Sequence, residues 1–131
     1  MLDFREVKIN VRELLEKYKE GRISFHKNST SSSTIENVLL KIPHTLILDY
    51  RNNNKLIIIG DNILKEIFDF INGKNTLTNT RYFKEIENTL FDHLPKHKQE
   101  RLLNFMFTGI LIVEASDEDL SHFILSYQNK T

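Results

Sequence analysis

The residues best placed for chemistry stand at Ile59-Gly60-Asp61-Asn62, where an aliphatic run stops and a helix-spaced apolar pattern begins at Ile63. A glycine between strand and helix lets a ligand approach the backbone, and the free N–H groups of a first helical turn attract phosphate. The side chains oppose that use. Asp61 sets a carboxylate where phosphate needs a neutral or positive surface, and Ile59 and Ile63 offer no polar group. Helix capping, worth about 1 kcal/mol, explains Asp61 more simply.

Other reactive side chains are scattered. His93 and His97 are four residues apart, a spacing that can present two imidazoles to a metal. Pro95 lies between them and no third ligand accompanies them, so exposed histidines at a helix start are the simpler reading. His26, His44 and His122 have no partner nearby in sequence. The hydroxyls of residues 29–34 lack a paired base and read as a surface loop. Lys96-His97-Lys98 with Arg101 can meet phosphate, though a solvated helix face accounts for them. Asp117-Glu118-Asp119 lacks the alternating ligands and glycine of a calcium loop and fits a helix N-terminus. Neither a metal nor a cofactor is expected.

The elements that must position these groups follow from periodicity. Asn10 can cap a helix carrying Val11, Leu14, Leu15 and Tyr18, with Gly21 as its stop. Residues 22–25 suit a short strand. Ser33 or Thr34 can cap a second helix with Ile35, Val38 and Leu39 on its buried stripe, ended by Pro43. Residues 45–50 and 55–59 form a β-hairpin around an asparagine-rich turn, and the second run, apolar at successive positions, is expected to be covered on both faces. The helix after Asp61 carries Ile63, Leu64, Ile67, Phe68 and Ile71 and stops at Asn72-Gly73. Residues 83–94 read as loosely ordered with a helical turn. Pro95 can begin a helix through Phe105, residues 107–114 read as a strand, and Ser116 caps a last helix bearing Leu120, Phe123, Ile124 and Tyr127.

The 131 residues suit one domain with a real core. Lys and Arg total 18 and Asp and Glu total 18, so the formal net charge is zero, which disfavours a strongly basic nucleic-acid binder and leaves room for a local patch. Without cysteine there are no disulfides, thiolate nucleophiles or cysteine zinc sites. No apolar run has the length of a signal peptide or of the roughly 20 residues that cross a bilayer. A cytoplasmic protein with no membrane partner is expected. Abundant Lys, Asn and Ile suggest an AT-rich genome of a bacterium, a phage or a large virus.

Several short strings occur in a telling order: residues 10–15 (NVRELL), 20–23 (EGRI), 35–43 (IENVLLKIP), 67–74 (IFDFINGK) and 81–83 (RYF). In that order the chain resembles the N-terminal domain of GmrSD-type restriction endonucleases, a ParB/sulfiredoxin-like fold of bacterial anti-phage systems, over nearly its whole length. The resemblance implies an α/β (α+β) domain spanning residues 1–131, with a small mixed sheet and flanking helices, shorter than family members that continue into a nuclease region. Active members carry an Asp-Gly-Gln-Gln-Arg motif, associated with nucleotide binding and hydrolysis, after the hairpin's second strand. Aligned on Phe70-Ile71-Asn72-Gly73, that motif falls on Ile59, Gly60, Asp61, Asn62 and Ile63, and only the glycine is kept. The guanidinium best shaped for phosphate is replaced by Ile63. A second ligand-facing string of the family, Pro-x-Phe-Gln-Arg, corresponds to the Ser/Thr-rich run after Phe25, where Lys27 is the one cation.

What this implies is a degenerate, non-catalytic domain that works by protein contact, a remnant or competitor of a restriction or anti-phage system, with a homodimer among the options. The alternatives are a nucleotide-binding domain with relocated contacts at Lys27, Asn28, Gly60 and Asn62, or a ParB-like nucleic-acid-binding module.

Overall fold

The computed structural model describes residues 2–26, 34–52 and 54–128. It is an α+β domain with strands β1 (Asp3–Asn10), β2 (Ile23–Phe25), β3 (Thr45–Asp49), β4 (Leu56–Ile59) and β5 (Met106–Glu114). The helices are α1 (Val11–Lys19), α2 (Ile35–Leu39), α3 (Ile63–Ile71), α4 (Lys96–Leu103) and α5 (Asp117–Gln128). Two 3-10 turns, Lys84–Ile86 and Phe91–His93, punctuate the stretch between α3 and α4. The strands form one mixed sheet in the order β1-β5-β3-β4-β2. β3 and β4 make the expected antiparallel hairpin, β5 runs parallel to β3, and β2 runs parallel to β4.

Alternation along the central strands divides the interior in two. Leu46, Leu48, Leu56 and Ile58 face a large core shared with α1, α2, α3 and α4, while Ile47 and Ile59 join Ile112 and Leu120 in a smaller cluster under α5. β4 is thus apolar on both faces because helices cover both. The edge strand β1 escapes a reading by pattern. It pairs antiparallel with β5 from Asp3 to Asn10, but only Val7 and Ile9 pack on the large core, while Phe4 meets the Phe123 ring with centroids 5.3 Å apart. Asp3, Arg5, Glu6 and Lys8 interleave with these apolar residues, a composition that guards an edge strand against pairing with other chains and hides it in the sequence.

Helices α1, α2 and α3 end in the same hydrogen-bonded wrap. The amide of Gly21 bonds Tyr18 O and that of Arg22 bonds Lys17 O; Gly73 and Lys74 repeat this with Phe70 O and Asp69 O. Both glycines take the left-handed conformation this wrap requires, at φ 75° and 80°. In α2 the corresponding amides belong to Lys41 and Ile42, bonded to Val38 O and Asn37 O, and Lys41 carries φ 63°. The chain has therefore left the helix before Pro43, which is not the residue that stops it.

Helix α2 begins as expected, with the Thr34 hydroxyl accepting the Asn37 amide at 3.2 Å. Its Glu36 is buried, and the carboxylate accepts the amides of Arg81, Tyr82 and Phe83, each at 2.8 Å. Burial pushes this carboxyl's pKa up, but the three N–H donors outweigh burial and hold it below the ordinary value.

Candidate functional site

Gly60 leaves β4 at φ 80°, and the next three residues decide what the turn can do. Asp61 is buried, with 7% of its surface exposed. Its Oδ1 accepts the Ile63 amide at 2.8 Å, and its Oδ2 lies 2.6 Å from His44 Nε2. The cap residue by position is Asn62, whose side chain makes no cap bond. Asp61 therefore satisfies the start of α3 from one residue earlier, through a side-chain turn over the Ile63 amide, and its second oxygen is held by the imidazole. Ile63 is fully buried in the large core, so a longer side chain at that position has no path to a ligand at the turn.

His44 is the partner that sequence distance conceals. It precedes β3 as Asp61 follows β4, and the antiparallel register, with Ile47 opposite Ile59, brings the two ends of the hairpin together. The imidazole also stands edge-on to Phe107 with ring centroids 5.7 Å apart, and the His44 carbonyl accepts the Thr108 amide. His44 and the Asp61 carboxylate form a packed, oriented pair, with side chains 13% and 11% exposed.

A groove of about 650 Å³ runs along β4 on the α5 side, from His26 and Gly60 at one end to Asp49, Arg51 and Asp117 at the other. Its floor is Ile57 and Ile59 and its far wall is Leu120, Ile124 and Leu125. The one arginine that lines it is fully engaged. Arg51 Nε and Nη2 donate to the two oxygens of Asp49, both at 2.9 Å, and Nη1 donates to Asp117 at 2.8 Å and to Ala115 O at 3.1 Å. Its hydrogen bonds to Asp49 and then to Asp117 raise the guanidinium's pKa further. Burial pushes the Asp49 carboxyl up, and its bonds from Arg51 more than reverse that, leaving it below its ordinary value. A forked cation that already holds two carboxylates is not available to a phosphate.

The remaining residues singled out by sequence do not converge on the turn. Lys27, Asn28 and residues 29–33 lie outside the described residues. His93 is exposed on a 3-10 turn and His97 on α4, and among the described residues no three His, Asp or Glu side chains converge as a metal set. Lys98 sits 3.8 Å above the Phe83 ring, and Arg101 donates to Leu39 O. Asp117 opens α5 and holds Arg51, while the Ser116 hydroxyl accepts the Asp119 amide. No helix among the described residues is long and apolar enough to cross a membrane. No family model matches the chain, and neither a curated protein nor a solved structure matches it.

Proposed function

We propose that this chain is a non-catalytic, ParB/sulfiredoxin-like relative of the GmrSD N-terminal domains that acts by binding another protein along the groove between β4 and α5. The observation that carries the reading is the engagement, among the described residues, of the Asp61 carboxylate at the degenerate motif and of the Arg51 guanidinium in its groove. Asp61 is bound by His44, Arg51 is bound by Asp49 and Asp117, and Ile63 faces the core. What the groove offers a partner is isoleucine and leucine, with Leu125 58% exposed at its rim. An apolar strip bounded by a neutralised arginine suits an apolar polypeptide segment better than a polyanion.

Incubation with ATP, GTP and dNTPs is expected to give no hydrolysis, and calorimetry no binding that depends on the turn. Micromolar nucleotide binding abolished by Asn62→Ala or Lys27→Ala would overturn the reading. Affinity capture from the host tests its positive half: a protein that copurifies with the chain is expected to be lost on Leu125→Glu. Copurification unchanged by that charge removes the groove as the contact.

A further inference from the structure

The end of the hairpin that holds His44 also opens on the opposite, α4 side, in a cleft of about 700 Å³ that includes Lys8, Lys41, His44 and Arg101. We propose that this cleft binds a small phosphate ester, its phosphate held by Lys8, Lys41 and Arg101 and its apolar body resting on Met106 and Pro43. Charge is the first support. Among the described residues none of these three cations makes a salt bridge, and the one carboxylate lining the cleft, Glu100, is bonded to Arg12 at 3.1 Å. A chain with as many acids as bases has therefore gathered unneutralised positive charge at one concave place. The size lies within the range of roughly 300–1,000 Å³ common to small-ligand sites, and Met106, 50% exposed, supplies an apolar wall.

The backbone of Lys41 is the second support. The wraps that end α1 and α3 place glycine where the chain turns left-handed, and the same wrap at α2 places Lys41 there. The other non-glycine residues with positive φ among the described residues are Asn79 and Asn88, and asparagine tolerates that conformation. A lysine held against its backbone preference on the wall of a cationic cleft is accounted for by what its ammonium does there. The third is His44. Its ring lines the cleft and is held in place by Asp61 through Nε2, 2.6 Å away.

The cleft and the β4–α5 groove are separate surfaces, so either reading can fail alone. The test is a titration of the full chain at low ionic strength, followed by NMR, with phenyl phosphate, inorganic phosphate and neutral benzyl alcohol. Phenyl phosphate is expected to bind below about 1 mM and to be weakened at least tenfold by Lys41→Gly, roughly the worth of one charged hydrogen bond. Lys41→Gly relieves the backbone, so its melting temperature is expected to equal or exceed that of the parent, which separates lost binding from lost folding. Lys41→Arg is expected to retain binding. The proposal is overturned if phenyl phosphate and benzyl alcohol bind alike, if Lys41→Gly binds as the parent does, or if a single-stranded oligonucleotide binds while phenyl phosphate does not.

Discussion

The groove beside α5 and the cleft beside α4 are of similar size and meet at opposite sides of one hairpin, yet their charges are organised in opposite ways. In the groove one guanidinium is held by two carboxylates, so its positive charge is outnumbered. In the cleft three cations share a wall whose one carboxylate is bonded elsewhere. A formal net charge of zero is compatible with both, because it is a sum over the chain and a ligand feels only the field within about a Debye length of itself, roughly 10 Å. The conspicuous Gly60 turn has its Asp61 carboxylate spent on structure, while Lys41, in a helix end that sequence suggests is closed by proline, makes no salt bridge among the described residues.

The strongest way to break the groove is from its floor. Ile59→Asp places a carboxylate among Ile47, Ile112 and Leu120 with no partner, and the expected loss is on the order of 3–5 kcal/mol in urea unfolding. Rewriting the turn to the family motif through Ile59→Asp, Asp61→Gln, Asn62→Gln and Ile63→Arg is therefore expected to give an unfolded chain. A folded product of that rewriting would show that the alignment, not the packing, governs the turn. Next in size is Asp61→Ala, which orphans the Ile63 amide and the His44 ring together and is expected to cost about 2–3 kcal/mol. In a double-mutant cycle with His44→Ala a coupling of at least about 1 kcal/mol is expected, and additivity would reduce the pair to a packing contact.

Acid acts on both sides of the sheet. Glu36 and Asp49 have folded pKa values below their ordinary ones, so their stabilisation is complete above the unfolded carboxylate range, near pH 4, and is lost as pH falls through the lowered folded values. Stability is expected to drop by about 1–3 kcal/mol over that interval. Glu36→Gln should remove part of the slope and leave the Asp49 part, and an unchanged slope would mean that the amide clamp does not titrate with folding. The smallest effect sharpens the contrast within the groove. Asp117 holds Arg51 from a side chain 96% exposed, so Asp117→Asn is expected to stay within about 0.5 kcal/mol of the parent by thermal melt. Arg51→Met leaves the buried Asp49 unpaired and should cost several times more.

Local signals predict much of the scaffold. Asn10 and Thr34 cap the helices they were expected to cap, Gly21 and Gly73 stop theirs, and the paired hairpin strands stand where their apolar runs do. What sequence reading misses depends on distance or on interleaved charge. β1 is an edge strand whose alternation is masked by four charged residues. Asp61 carries a cap signal, but its second bond is to a histidine 17 residues back, visible only once the hairpin register is applied. Glu36 looks like an ordinary first-turn acid, and its three amide partners lie 45 to 47 residues further on. Lys41 gives no warning, since a left-handed helix end is usually marked by glycine and sometimes by asparagine.

That Glu36 clamp makes one opening unit of two segments that are weak alone. Helix α2 has five residues, too few to persist without help, and residues 81–83 carry no regular secondary structure. Because one carboxylate closes all three amides, none of them can be freed singly without disturbing the helix that carries it, and their hydrogen exchange should follow a shared opening. The slowest protons in this irregular stretch thus report on a helix more than forty residues earlier in the chain.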